Sequence, residues 1–271
     1  MTTCYCLSGF QSCWRKGVTE ATTIRRLRMQ INFITCFCAL VLPHCAQAAS
    51  QNVELHLCRN EKSIEGKIEH CASVLSDSSY SNSNWALVTA HNTRGLAYMA
   101  SGRYEDAIAD FDFVISHGPQ LAGYYDNRQN AYRQSSMFDQ ALADADKAIQ
   151  LAPDQSFVYR GRATVYKDMG RYDLAVRDYS KGIELAPEDG GLLIDRGKIF
   201  RSQSRFDRAI QDFSRALEID ATRWSYGYRE RGLTYALIGA REAALKDLAT
   251  YNALSPGDQE VISTLQAVGA R

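Results

Sequence analysis

Four residues near position 60 have side chains that could do chemistry: His56, Cys58, His70 and Cys71. Cysteine and histidine are common zinc ligands. Two cysteines are equally a disulfide or a pair of reduced thiols. His70 and Cys71 are neighbours on a helix predicted over 63–75. Their side chains therefore diverge by about 100°, and one metal ion does not readily take both. The expectation is a Cys58–Cys71 disulfide and no metal. Elsewhere the chain lacks a G-x-S-x-G elbow, an H-E-x-x-H helix, a phosphate-binding loop and an S-x-x-K pair. His44, His56, His70, His91 and His117 are scattered, and His91 reads as packing. Acids such as Glu105, Asp106 and Glu184 read as solvated outer faces. The chain is expected to be no enzyme, with no cofactor and no small-molecule substrate.

A second set of chemically capable residues recurs. Arg94, Arg128, Arg162, Arg196 and Arg231 are spaced by 34 or 35 residues, as are Asp110, Asp144, Asp178, Asp212 and Asp247. A half-buried guanidinium needs a partner, and a carboxylate supplies a bidentate one. Repetition in every unit marks a structural ladder rather than a ligand site.

The elements that position these pairs repeat with them. GLAYMASGRYEDAIADFDFVISHGP (95–119), ATVYKDMGRYDLAVRDYSKGIELAP (163–187) and GKIFRSQSRFDRAIQDFSRALEIDA (197–221) align at multiples of 34 residues. Units start at Val88, Ala122, Ser156, Gly190 and Ser225. Position 8 of the unit is Gly95, Gln129, Ala163, Gly197 and Gly232. Position 11 is Tyr98, Tyr132, Tyr166, Phe200 and Tyr235. Position 20 is Ala107, Ala141, Ala175, Ala209 and Ala244, and position 32 is Pro119, Pro153, Pro187, Ala221 and Pro256. Small residues at 8 and 20 let two antiparallel helices cross closely, while aromatics fill the space beside the crossing. Gly or Ser at position 15 ends the first helix and proline stops the second. Gln129 at its crossing predicts a splayed second hairpin. Ala221 and one inserted residue predict an irregular junction after unit four.

In these positions the chain resembles the tetratricopeptide repeat family over residues 88–258. The resemblance implies an all-α, right-handed superhelical solenoid of helix-turn-helix repeats (88–121, 122–155, 156–189, 190–223 and 225–258), because one hairpin cannot bury its apolar face alone. Residues 49–87 are expected to form an N-terminal capping segment fastened by Cys58–Cys71, with 76–84 as a polar linker. Residues 259–271 form a C-terminal capping helix, its stripe being Val261, Ile262, Leu265 and Val268.

In the family the first helices line a concave groove. Carried onto this chain, the groove residues are Asn92, Asn127, Asn130, Arg133, Arg160, Lys167, Lys198, Arg201 and Arg229, with the acids Asp126, Asp168, Asp195 and Glu230 beside them. Asn beside Lys or Arg resembles the way some members clamp a peptide carboxylate. The resemblance implies a non-enzymatic scaffold that holds an extended, acidic or C-terminal segment of a protein partner. The alternative for the same residues is a solvated face whose charges pair with one another. A structural subunit of an envelope or secretion complex, held by its convex face, is the other reading, as is a membrane-tethered adaptor.

Net charge is zero over 271 residues, which argues against nucleic acid as a partner. Residues 1–48 hold Arg15, Lys16, Arg25, Arg26 and Arg28 against Glu20 alone, so the remainder is acidic. Arg25–Arg28, the apolar run Ile31–Leu42 and Ala46-Gln47-Ala48 read as a signal peptide over 1–48 cut after Ala48, with Met29 as a second possible start. Export to a bacterial periplasm or beyond is expected, with membrane contact only if Ile31–Leu42 is retained.

Overall fold

The computed structural model describes residues 53–269, so the predicted signal segment lies outside the described residues. Among the described residues all regular structure is helical. Helix α1 covers 53–60. It is followed by α2 (Ile64–Ser76), a short 3-10 turn (Ser78–Tyr80), α3 (Asn84–Ala100), α4 (Tyr104–His117), α5 (Ala122–Gln134) and α6 (Phe138–Leu151). Then come α7 (Ser156–Asp168), α8 (Tyr172–Leu185), α9 (Gly190–Ser202), α10 (Phe206–Asp220), α11 (Tyr226–Leu237), α12 (Arg241–Leu254) and α13 (Gln259–Gly269). Helices pack in consecutive pairs, and each pair packs on the next, as in an α-solenoid. Successive first helices also touch one another: α3 with α5, α5 with α7, α9 with α11.

Turn chemistry explains the hairpins. Each residue at position 15 is left-handed: Gly102 (φ 75°), Ser136 (58°), Gly170 (73°), Ser204 (58°) and Gly239 (76°). The two serines adopt a backbone that favours glycine. Helices α4, α6, α8 and α12 stop two residues before a proline. Where Ala221 stands in its place, α10 runs 15 residues against 14 in those four. The extra length delivers Trp224 onto the start of α9, where a Cβ on Gly190 would lie 2.7 Å from the indole.

Close crossings explain the small residues. A Cβ on Gly95 would meet the Phe111 ring at 2.7 Å, and one on Gly197 would meet Phe213 at 2.6 Å. Unit two inverts this pair. Gln129 is 2% exposed, and the position 16 residues on, which holds Phe111, Tyr179, Phe213 or Leu248 elsewhere, is Ala145. The expected splaying is replaced by an exchange of large and small partners, which leaves α5 and α6 packed together.

At the N-terminal end Cys58 and Cys71 are joined and fully buried, tying α1 to α2. Val74 and Tyr80 complete this cluster with Ala86 and Ala90 of α3. The segment read as a linker thus supplies a buried tyrosine, and α3 begins four residues before Val88. At the other end Val261 and Leu265 of α13 pack on Leu233, Leu248 and Tyr251. Arg241, standing where other units have an aromatic or its equivalent, donates to Gly269 O at 3.0 Å and ties α12 to α13. Reduction of Cys58–Cys71 releases a loop with a sequence separation of 13. It is expected to cost the N-terminal cap about 3 kcal/mol. Hydrogen exchange with and without reductant should show α1 and α2 losing protection while α7–α10 keep theirs.

Candidate functional site

The repeated Arg–Asp pairs form a bidentate ladder in all five hairpins. Nε and Nη2 of Arg94, Arg128, Arg162, Arg196 and Arg231 donate to the two carboxylate oxygens of Asp110, Asp144, Asp178, Asp212 and Asp247, at 2.6–3.0 Å. The first four guanidinium groups also lie over the ring one turn on: Tyr98, Tyr132, Tyr166 and Phe200. Nη1 reaches back to the preceding hairpin, to Asp112 from Arg128, Asp146 from Arg162, Ser180 from Arg196 and Ser214 from Arg231. The ladder therefore sets both the hairpin and its stacking. Arg94, in the first hairpin, shares Asp110 with His91 (2.7 Å), whose ring stacks on Phe113 at 3.9 Å. Burial works to raise the Asp110 pKa, but hydrogen bonds from Arg94 and His91 outweigh it and hold the group below its usual value. His91 therefore pairs as well as packs.

On the first helices a second set of pairs links position 5 or position 12 of one unit to the next. Asn127 donates to Asn92 at 3.3 Å, and Arg160 donates to Asp195 at 2.9 Å. Arg133 pairs with Asp168 and also binds Asn130 Oδ1 at 2.7 Å. Arg201 stands 2.7 Å from Glu230 Oε2, and the same oxygen has no aligned hydrogen bond, so the contact is an ion pair. Arg229 takes Glu230 Oε1 at 2.8 Å and Asp258 at 2.7 Å, and it also contacts Glu260. Glu230 is 1% exposed. Burial and the neighbouring Glu230 push the Tyr226 hydroxyl up to about 12.

Seven of the nine residues expected in the groove thus have partners within the fold: Asn92, Asn127, Asn130, Arg133, Arg160 and Arg229, and Arg201 through Glu230. The basic lean read from the sequence is largely neutralised by the acids beside it. Lys167 and Lys198 keep donors. Lys167 Nζ is 3.6 Å from Asp168, and Lys198 lies over the Tyr226 ring at 4.6 Å. Near the C-terminal end a cleft of about 760 Å³ opens between α11 and α13, lined by Leu233, Ala236, Leu237 and Val268 with Arg201 and Arg241 at its edge.

One acid is different. Asp126, at position 5 of unit two, is partly buried with no hydrogen bond or ion pair. Burial alone raises its pKa to about 6. A folded-state pKa above the ordinary 3.8 means that the stability it gives is complete below pH 3.8 and is lost as pH rises through 6. Asp126→Asn is therefore expected to raise stability above pH 7 by up to about 3 kcal/mol. The gain should vanish near pH 4. Urea unfolding of both proteins across pH 4–8 measures it, and a pH-independent difference would contradict the burial argument.

At the N-terminal end, His70 Nδ1 lies 3.1 Å from Glu54 and His56 Nδ1 lies 3.2 Å from Asn60 Nδ2, while both sulfurs are bonded to each other. Among the described residues no group of three or more His, Cys, Asp or Glu side chains is placed to hold a metal ion.

Comparison with known proteins follows this architecture. Two family models, each described as tetratricopeptide repeat, match residues 160–223 and 88–115. No curated protein matches the chain. Among solved structures, a tetratricopeptide repeat protein from Parabacteroides merdae is similar with a TM-score of 0.64 at 18% identity, covering 85% of this chain and 89% of that one. PilF of Pseudomonas aeruginosa gives 0.58 at 15%, covering 69% and 90%. A thermophilic repeat protein from Thermus thermophilus gives 0.56 at 16%, covering 68% and 100%. At these identities the likeness is one of fold.

Proposed function

Because this chain belongs to the tetratricopeptide repeat family, we propose that it is a non-enzymatic scaffold that holds an extended segment of a partner protein along its first helices. The observation that carries the reading is that successive first helices meet, by contact of α3 with α5, α5 with α7 and α9 with α11, and by the Arg160–Asp195 pair between α7 and α9. It sets their polar side chains in one continuous row, and neighbours across the repeat hold most of that row in place. Groups fixed in this way lose little freedom when a ligand arrives. Lys167 and Lys198 are the cations of the row with donors to spare, and they suit an acidic side chain or a chain-terminal carboxylate. The location we infer is the periplasm or exterior of a bacterium. It rests on the basic, apolar and small-residue order of residues 25–48. Among the described residues no helix is long and apolar enough to cross a membrane.

The test uses full-length protein made with its own N-terminus and recovered after export. Mass spectrometry of the recovered chain should begin at Ala49, and retention of residues 1–48 would remove the signal reading. Envelope extract is then passed over the wild type and over a Lys167→Ala, Lys198→Ala variant of equal helicity and melting temperature. A partner held by the first and lost by the second supports binding along the first helices. A partner held equally by both assigns binding to the second helices instead.

A further inference from the structure

The row of first helices ends in a gap of different character. Helix α13 packs on both α11 and α12, as the first helix of a further unit would, and the cleft of about 760 Å³ lies between it and α11. Positions 9, 12 and 13 form the α11 wall. In units two to four these positions are polar or charged, among them Asn130, Arg133, Lys167, Lys198 and Arg201; in unit five they are Leu233, Ala236 and Leu237. Leu237 is 64% exposed, so this wall is open to a ligand. The opposite wall is Glu260, Ser263, Thr264, Ala267 and Val268, which share one face of α13 by helical spacing. It is not the face that caps the solenoid, where Val261 and Leu265 pack. A helix face turned only to water is rich in charge. This one carries small residues over most of its length, and Ser263 and Thr264 turn their hydroxyls onto Glu260 O.

Three charges line the cleft, and two of them are spent. Glu230 holds Arg201, and Arg229 holds Glu260. Arg241 is exposed and donates through Nη2 to Gly269 O, and among the described residues its Nε and Nη1 have no acceptor. The cleft therefore joins apolar walls to one uncompensated guanidinium. We propose that it takes the C-terminal residue of the partner segment, with an apolar side chain between Leu233, Leu237 and Val268 and the chain-terminal carboxylate on Arg241. One such residue brings both parts on a single Cα, and a guanidinium matches a carboxylate in charge and in geometry. An internal apolar residue would carry a peptide group in on each side and leave more polar groups to satisfy. The inference rests on the first-helix binding reading and gives it direction. The C-terminus of the segment lies between α11 and α13, and its acidic side chains lie back toward Lys198 and Lys167.

The experiment is a titration of the isotope-labelled full chain, read by NMR at the methyl groups of Ala236, Ala267 and Val268. The probes are four acetylated glycine-serine hexapeptides. One ends in leucine with a free carboxylate, one in leucine amide and one in serine with a free carboxylate; the fourth has an internal leucine-glutamate pair and an amide end. The free leucine end is expected to shift the methyl signals saturably. The leucine amide and the serine end should each bind about tenfold more weakly. In Arg241→Gln the free leucine end and its amide should bind alike. That substitution also cuts the tie to Gly269, so a second variant leaves the tie in place. Leu237→Ser, at an exposed position, should weaken the free leucine end about tenfold without lowering the melting temperature. Equal binding of the leucine acid and its amide by the wild type, or full affinity in Leu237→Ser, overturns the proposal. A preference for the leucine-glutamate probe overturns it in favour of an internal segment. Cleft signals that move with protein concentration alone overturn it in favour of a second copy of this chain. If the cleft fails while the leucine-glutamate probe shifts the signals of Lys167 and Lys198, the first-helix reading survives. If no probe moves any first-helix signal, both readings fall.

Discussion

Asp212→Ala is expected to destabilise the protein by about 3–5 kcal/mol, because it leaves the Arg196 guanidinium half-buried with no counter-charge. The matched substitution Asp144→Ala should cost roughly 1–2 kcal/mol less. The two aspartates are equally buried, at 7% side-chain exposure, and their arginines are equally buried at 19%. The difference lies in the third partner. Arg128 keeps the Asp112 carboxylate at 2.6 Å, whereas Arg196 keeps the neutral Ser180 hydroxyl at 2.9 Å. Urea unfolding of both variants gives the comparison. Adding Arg196→Met to Asp212→Ala should recover much of the loss, since the penalty comes from the orphaned charge. Equal losses for Asp212→Ala and Asp144→Ala would show that the backward reach to the preceding hairpin contributes nothing.

The second large effect is Phe213→Ala. Phe213 is fully buried and its ring fills the space that Gly197 leaves at the α9–α10 crossing. Truncation should cost about 3–5 kcal/mol. Gly197→Leu alone should also destabilise, by roughly 1–3 kcal/mol, because its Cβ enters the ring. In the Phe213→Ala background the same substitution should instead stabilise, by about 1–2 kcal/mol, since it refills the cavity and removes a helix glycine. Unit two already carries this exchange as Gln129 and Ala145. A double-mutant cycle in thermal unfolding checks the change of sign, and a Gly197→Leu effect of the same sign in both backgrounds would refute the exchange of volumes.

Much of this architecture is legible in the residues alone. The helical hairpins follow from the 34-residue period, because aromatics, alanines and glycines at fixed offsets leave one way to bury each apolar face. The pairing of Arg94 with Asp110, and of its four counterparts, follows from the cost of leaving a guanidinium half-buried. The ends of the first helices were readable from Gly102, Gly170 and Gly239 at position 15, since glycine adopts the left-handed turn without strain, and Ser136 and Ser204 follow by register. The Cys58–Cys71 bridge was readable from the two cysteines that follow residue 48, taken as the pair left after export.

What the sequence did not decide is which charges stay free. Arg133, Arg160 and Arg229 read as donors for a ligand when each helix is taken alone. Stacking sets the next helix beside them, with Asp168, Asp195 and Asp258 in reach, and their charge is spent within the fold. Gln129 read as a misfit at its crossing until Ala145 was seen to make room for it. Asp126 read as one acid among several, and its distinction comes from the glycine that the following repeat sets above it. Residue type and period determine each hairpin because those forces act within a few turns of helix. Superhelical stacking determines the binding face, because whether a buried polar group is satisfied depends on a side chain about 35 residues away.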